Sequence, residues 1–177
     1  MSDSPHAWRH PRPRGVEGRC IGRTDVPMDR RKAKRLAHRI RRAARREGWP
    51  HIVWTSPLQR CAAVGRCLAR WGWVHRIDER LCELDFGTWD GQRWDAIGAA
   101  AVDTWCADFL QHAPGGGESV AQLLQRCAAL LEGLPPQSCI VAHAGWINAA
   151  RCVVDGTRPA RAADWPAAAP YAARVSL

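Results

Sequence analysis

Residues 138–145 read Ser-Cys-Ile-Val-Ala-His-Ala-Gly. The continuous apolar run 138–142 is typical of a strand covered on both faces, as in a parallel sheet. A helix is predicted directly after it, from Gly145 to Val154. Further β-type runs occur at 51–54 and 74–77, and residues 7–9 would end a first strand. Because strands alternate with helical patterns, we predict an α/β fold, a three-layer α/β/α sandwich with a mainly parallel central sheet and helices on both faces.

The remaining elements are predicted from capping and breaking residues. Asp29 caps a helix that Gly48 ends, and Ser56-Pro57 has the pattern of a second helix start. Ser119-x-x-Gln122 has the pattern of a capping box. The other predicted segments are a loop at 11–28, one or two helices between Asp90 and Gln111 interrupted near Gly98, and a last strand within 172–177. We expect one domain over 1–177, with a helical insert at about 92–117.

Composition narrows the class of protein. The hydrophobic fraction is 46%, which is too high for a disordered chain. No apolar run approaches the ~20 residues of a membrane helix, and residues 1–6 carry no apolar stretch of a secretory signal. We therefore expect a cytoplasmic protein without a membrane partner. The eight cysteines form no C-x-x-C pair, so we expect them to be reduced packing residues and expect no metal or other cofactor.

The net charge of +9 comes largely from residues 29–46, which hold ten of the 26 lysines and arginines. Such a run could bind nucleic acid. However, apolar residues recur there at helical spacing, at positions 33, 36, 37, 40 and 44. A solvated basic face on an amphipathic helix is therefore the favoured interpretation, and a nucleic-acid partner is disfavoured. The excess charge would still attract an anionic substrate.

Charged and ring side chains follow the predicted strands. His10, the segment Ser56–Arg60 and His143 each come just after one. In open α/β sheets ligands bind beyond the carboxyl ends of the strands, so these residues are expected to meet in one pocket. Arg9 and Arg60 would hold a phosphate with planar forked donors, and His143 would add a hydrogen bond.

This set of residues could also transfer the phosphate. His10 could attack phosphorus through a ring nitrogen and form a phosphohistidine. Glu83 could protonate the leaving alcohol and later take a proton from water, with Asp85 as the rival carboxylate. The arginines and histidines would then supply the charge stabilisation that a metal gives elsewhere.

Six segments, in order along the chain, resemble the motifs of the histidine phosphatase superfamily, whose fold is phosphoglycerate mutase-like. The segments are Arg9-His10, Gly22–Met28 (Gly-Arg-Thr-Asp-Val-Pro-Met), Thr55–Arg60 (Thr-Ser-Pro-Leu-Gln-Arg), Leu81–Gly91 (Leu-Cys-Glu-Leu-Asp-Phe-Gly-Thr-Trp-Asp-Gly), Gly116–Ser119 (Gly-Gly-Glu-Ser) and Ala142–Gly145 (Ala-His-Ala-Gly).

The resemblance implies that His10 is the phosphorylated nucleophile, Glu83 the proton donor, and Arg9, Arg60 and His143 the phosphate pocket. Arg-His-Pro at 9–11, with the short loop after it, is similar to a subgroup assigned as α-ribazole phosphatases of cobalamin synthesis. Arg23 and Thr24 are then predicted to contact the substrate. Specificity is expected to lie in the loop 11–28 and the insert 92–117.

Two features depart from the family pattern. The first strand is polar, reading Ser-Pro-His-Ala-Trp at 4–8, and alanines stand at 142 and 144 where the family usually has Ser and Gly. Three hypotheses remain open. The chain is a phosphatase for a small-molecule phosphoester, a mutase or other sugar-phosphate phosphatase, or a basic nucleic-acid-binding protein with little catalysis. The sequence does not indicate an oligomeric state.

Overall fold

A computed structural model describes residues 5–177. The first four residues, on which part of the prediction about a leader rests, lie outside this range. Five strands form one sheet: β1 (His6–Arg9), β2 (Ile52–Thr55), β3 (Val74–Ile77), β4 (Cys139–Ala142) and β5 (Arg174–Ser176). The helices are α1 (Arg30–Glu47), α2 (Gln59–Ala69), α3 (Trp94–Ile97), α4 (Ala99–Ala107), α5 (Val120–Leu131) and α6 (Ala144–Val154).

The strand order is β3-β2-β4-β1-β5, and only β5 runs antiparallel, at one edge. Side chains of β4 alternate between two cores. Ile140 and Ala142 pack with α5 and α6, whereas Cys139 and Val141 pack with α1 and α2. The predicted three-layer α/β/α sandwich is therefore confirmed. The continuous apolar run of β4 follows from its central position, because both of its faces are buried.

The polar first strand is also central, between β4 and β5. His6 is buried because its ring stacks on Trp49 at 4.0 Å and accepts a hydrogen bond from Arg174. Arg174 is itself paired with Glu47 at 2.8 Å. A histidine can therefore be buried at a position where an apolar residue is expected, because its ring nitrogen has a hydrogen-bond donor. The next strand residues, Ala7 and Trp8, are buried in opposite cores.

The helix α1 begins and ends where its caps predict. Asp29 accepts a hydrogen bond from the Arg31 N–H at 2.8 Å, and Gly48 has the left-handed φ of 75° that ends the helix. The apolar stripe of α1 is buried, and most of its arginines and lysines are exposed. The amphipathic interpretation is confirmed.

The predicted start of α2 is wrong. The helix begins at Gln59, after Leu58, and not at Ser56-Pro57. Ser56 does not cap it because the Ser56 hydroxyl is turned to His143. Asp25 instead accepts from the Gln59 N–H at 2.7 Å, so a carboxylate from the preceding loop caps the helix. Sequence proximity favoured Ser56, whereas the tertiary fold brings Asp25 to the helix start.

Between Asp90 and Gln111 two short helices occur, α3 and α4, and Gly98 separates them with a φ of 87°. The interruption near Gly98 is therefore confirmed, although the helical region starts only at Trp94. All eight cysteines are free thiols, and six are buried. Among residues 5–177, no helix has both the length and the apolar character needed to cross a membrane.

Candidate active site

The carboxyl ends of the parallel strands open into a cavity of about 330 Å³. Arg9, His10, Arg60 and Glu83 all line it. Each comes from a segment that was predicted to reach the site, and the folded chain brings them together across more than 70 residues of sequence. The juxtaposition follows from strand order, because β1 and β4 are neighbours and β2 lies on the other side of β4.

His10 is held in one orientation. Its backbone N–H donates to the Ala142 carbonyl at 3.0 Å, and its own carbonyl accepts from the Ala172 N–H. Ring Nδ1 lies 2.8 Å from the Pro11 carbonyl oxygen. Since a carbonyl oxygen can only accept, Nδ1 carries the proton and Nε2 keeps its lone pair. Burial, with Arg60 and Arg9 nearby, lowers the pKa of His10 to about 3. The ring is therefore neutral and nucleophilic near pH 7.

Some N–H donors of Arg9 bind protein groups, whereas others have no protein acceptor. Its Nη1 donates to the Ala169 carbonyl at 2.6 Å, and its guanidinium lies 3.7 Å from the centre of the Tyr171 ring. Arg9 Nε is buried and has no acceptor among residues 5–177. A buried donor without a partner is unfavourable, and a bound anion would supply the missing acceptor. The Nε–Nη2 edge of Arg9 can thus serve a phosphate.

Arg60 is fully buried, and protein acceptors orient it. Nη1 donates to the Thr24 carbonyl, Nη2 to the Gly22 carbonyl, and Nε to His143 Nδ1 at 3.1 Å. One N–H on each terminal nitrogen remains for a ligand. Arg60 also lies in the first turn of α2, where backbone N–H groups could bind an anion. The structure has Asp25 there instead, so a protein carboxylate already occupies that helix start.

His143 lies behind the cavity wall. Its ring is fully buried, and its centre is 5.1 Å from that of His10 in an edge-to-face arrangement. Nδ1 accepts from Arg60, so Nε2 carries the proton and donates to the Ser56 hydroxyl at 2.8 Å. Burial and Arg60 hold the pKa of His143 well below its usual value, and the ring is neutral. Both ring nitrogens thus contact protein groups, and a hydrogen bond from His143 to phosphate stays a prediction.

Glu83 sits at the start of α6. Its Oε2 accepts from the Gly145 N–H, and its Oε1 accepts from the Trp146 and Leu84 N–H groups, each at 3.0 Å. The helix N-terminus therefore orients the carboxylate. Oε2 accepts only one of these bonds, so it is the oxygen with room for a proton. The rival, Asp85, accepts from the Gly87 N–H and does not line the cavity.

Arg126 is a further residue of the site, and no sequence motif points to it. Its five N–H groups make five hydrogen bonds. Two go to the Glu118 carboxylate at 2.6 and 2.8 Å, and three go to the carbonyls of Arg80, Cys82 and Glu83. Arg126 thereby holds the backbone of the loop that carries Glu83. The available signal was an arginine on the mostly apolar α5, next to buried Cys127, since a buried arginine needs partners.

The loop 22–24 is held by Asp90. Its carboxylate accepts from the N–H groups of Gly22, Arg23 and Thr24 at 2.7–2.9 Å. The Thr24 carbonyl then contacts Arg60. The side chains of Arg23 and Thr24 are exposed and do not line the cavity, so their predicted contact with substrate is not part of this arrangement and stays a prediction.

The rest of the cavity is mainly apolar and aromatic, with Arg19 and Asn148 as its polar side chains. Six aromatic rings line it: Phe86, Trp94, Trp105, Phe109, Trp165 and Tyr171. We call these rings and their apolar neighbours the aromatic chamber. The predicted specificity segments contribute Pro13, Val16 and Ile21 from 11–28, and Trp94, Trp105 and Phe109 from 92–117. The C-terminal segment 165–171 also contributes, although no sequence motif points to it.

Comparison with known proteins identifies the family of the chain. The family model of the histidine phosphatase superfamily (branch 1) matches residues 6–176. No curated protein sequence gives a significant match. The structure of a mycobacterial glucosyl-3-phosphoglycerate phosphatase is similar, with 26% identity, a TM-score of 0.79, and coverage of 96% of this chain and 87% of that chain.

A structure named mycobacterial hydrolase 1 matches with 26% identity and a TM-score of 0.79, covering 96% of this chain and 88% of that chain. The α-ribazole phosphatase from Shigella flexneri shares the fold at 23% identity and a TM-score of 0.70, with coverage of 86% and 81%. Because the family model spans nearly all of the described chain, the chain belongs to the histidine phosphatase superfamily and is a phosphoric monoester hydrolase.

Proposed function

We propose that the protein is a metal-independent phosphomonoesterase that works through a phosphohistidine at His10. The observation that carries this proposal is the hydrogen bond from His10 Nδ1 to the Pro11 carbonyl. It leaves Nε2 as a free nucleophile beside the arginine donors. In the first step Nε2 attacks phosphorus, and the bond from phosphorus to the alcohol oxygen breaks. The departing alkoxide takes a proton from Glu83, which enters this step as the neutral carboxylic acid with its proton on Oε2.

In the second step water attacks the phosphohistidine. Glu83, now a carboxylate, accepts the proton from that water, and the bond between phosphorus and His10 Nε2 breaks. Neutral His10 and inorganic phosphate result. Arg9 and Arg60 stabilise the charge on the phosphoryl oxygens in both steps, because their remaining N–H groups border the same cavity. We propose that His143 acts here mainly by orienting Arg60, whose Nε–H it accepts.

For the substrate, we propose α-ribazole 5′-phosphate or the corresponding cobamide phosphate, as expected from the sequence, so that the released alcohol is α-ribazole or the cobamide. The aromatic chamber supports this choice. A flat benzimidazole can stack on rings such as Trp94 and Trp105 and bury its apolar surface there. Asn148 and Arg19 are the polar side chains of the lining outside the phosphate pocket. The expected cytoplasmic location remains a prediction from the sequence.

A second candidate is a sugar-phosphate phosphatase, favoured by the 26% identity with the mycobacterial glucosyl-3-phosphoglycerate phosphatase. A glucosyl-phosphoglycerate carries hydroxyl groups and a carboxylate that need polar partners. The chamber supplies few of these, so this candidate ranks second.

Phosphate release from a panel of esters tests both the mechanism and the alcohol. The panel holds α-ribazole 5′-phosphate, glucosyl-3-phosphoglycerate, 3-phosphoglycerate and an aryl phosphate, each with EDTA present. We expect fast release from α-ribazole phosphate that EDTA does not reduce. In His10→Ala the release should fall by about 10³-fold or more. His38→Ala, an exposed histidine on α1, is the matched control and should keep full activity.

Mass spectrometry after rapid mixing should find phosphate on the peptide that contains His10. Full activity in His10→Ala would refute the mechanism. Preferred hydrolysis of glucosyl-3-phosphoglycerate would refute the proposed alcohol and leave the mechanism intact. Return of the phosphate to the substrate, instead of release to water, would identify a mutase.

A further inference from the structure

The residues that face Arg9 come from the C-terminal segment 165–172, which no predicted motif includes. Two contacts from this segment act on the guanidinium. The Ala169 carbonyl accepts from Nη1 at 2.6 Å, and the guanidinium carbon lies over the Tyr171 ring, 3.7 Å from the ring centre. These contacts occupy Nη1 and one face of Arg9. The Nε–Nη2 edge of the guanidinium therefore stays available for a ligand, and Nε has no hydrogen-bond acceptor among residues 5–177.

Tyr171 is the only tyrosine of the chain. Its ring centre is also 5.6 Å from that of His10. It therefore contacts the predicted nucleophile and the predicted phosphate ligand at once. A cation over the face of a tyrosine is attracted by the ring quadrupole, most strongly when both are shielded from water. Arg9 is partly buried and Tyr171 is 36% exposed, so the attraction should fall between that of an exposed pair and that of a fully desolvated pair.

The segment is anchored on both sides of these contacts. Asn148 on α6 donates to the Pro166 carbonyl at 2.6 Å. On the other side, the Ala172 N–H donates to the His10 carbonyl, and the Arg9 N–H donates to the Ala173 carbonyl. Tyr171 is thus held between two fixed points, and its ring can set the orientation of Arg9.

We propose that Tyr171 is a positioning residue, which holds the Arg9 guanidinium so that its Nε–Nη2 edge meets the phosphate. The proposal rests on the proposed function, since it assigns Arg9 to the phosphate. This positioning role differs from simply lining the aromatic chamber. A wall affects only esters with a large alcohol, whereas the orientation of Arg9 affects every phosphate ligand, inorganic phosphate included.

Two substitutions separate the ring from the hydroxyl group. Tyr171→Phe keeps the ring face, and Tyr171→Leu removes it. Trp71→Leu is the matched control. Trp71 follows α2, its ring lies 5.1 Å from the guanidinium of Arg41 on α1, and it does not line the cavity. Inorganic phosphate binding is measured by calorimetry, and KM and kcat are measured for an aryl phosphate and for α-ribazole 5′-phosphate. Thermal unfolding checks that each variant is folded at the assay temperature.

We expect Tyr171→Leu to weaken phosphate binding about ten-fold and to raise KM for both esters by a similar factor. Tyr171→Phe and Trp71→Leu should stay within about two-fold of the wild type. Loss confined to α-ribazole phosphate, with unchanged phosphate affinity, would overturn the proposal and identify Tyr171 as a chamber wall. A Tyr171→Leu variant equal to an active wild type would overturn it while sparing the proposed function. A wild type that neither binds nor releases phosphate would overturn both.

Discussion

Gly145 lies where the Glu83 carboxylate leaves no room for a side chain. A Cβ at this position would stand 2.5 Å from Glu83 Oε1 and 3.2 Å from the carboxyl carbon. Gly145→Ala should therefore displace the carboxylate and break its bonds to the N–H groups of α6. Because misplacing a catalytic group by about 1 Å costs about 10²-fold, we expect kcat to fall by roughly that factor. Steady-state kinetics with an aryl phosphate measure the change.

The control for this substitution is Gly133→Ala. A Cβ there would have the Leu130 carbonyl at 3.7 Å as its near neighbour, an ordinary contact. Gly133→Ala should leave kcat unchanged. If Gly145→Ala is as active as Gly133→Ala, then Glu83 either tolerates the shift or does not transfer the proton.

At the scale of elements, Arg126 joins α5 to the loop of Glu83 through five hydrogen bonds. In Arg126→Met three carbonyls and the Glu118 carboxylate lose these donors. Removing one partner of a largely buried ion pair costs about 3 kcal/mol, so the free energy of unfolding should fall by about that amount. The freed loop should also lower kcat about ten-fold. Urea unfolding and kinetics measure the two effects.

Arg151→Met on α6 serves as the control, since Arg151 is partly exposed and makes no ion pair among residues 5–177. It should change neither quantity by much. A stable Arg126→Met variant with full activity would show that the loop keeps Glu83 in place without Arg126.

At the scale of the whole molecule, the buried histidines make stability depend on pH. The pKa of His10 is lowered to about 3 in the folded protein, from 6.5 in the unfolded chain. The unfolded chain therefore binds the extra proton first as pH falls below 6.5, and stability is lost from there down to about pH 3. Between pH 7.5 and 5, His10 should remove about 2 kcal/mol from the free energy of unfolding.

Urea unfolding at pH 7.5 and pH 5 measures this loss in the wild type and in His10→Asn. The variant should lose about 2 kcal/mol less than the wild type over that range. Most carboxylates titrate below pH 5, so the window isolates histidines. Equal losses in the two proteins would mean that His10 is not held neutral by burial. His38→Asn, at an exposed position on α1, should behave as the wild type.

The layers of the fold, and the residues that meet at the candidate site, could be predicted from the sequence. Alternating apolar runs and helical patterns predicted the sheet, because local periodicity follows directly from which face of an element is buried. The strand-end positions of His10, Arg60 and His143 predicted convergence, because parallel strands end at the same edge of a sheet. Glu83 was identified from its motif, and the structure places its carboxylate on the same cavity.

The tertiary structure alone decided how these side chains are held. Asp25 caps α2, Asp90 holds the loop 22–24, and Arg126 holds the loop of Glu83. Each pair is at least 34 residues apart, so no local pattern could indicate it. The contact between Tyr171 and Arg9 spans almost the whole chain and depends on β5 pairing with β1. A sequence records which groups exist, whereas the geometry of long-range contacts appears only when the sheet brings distant segments together.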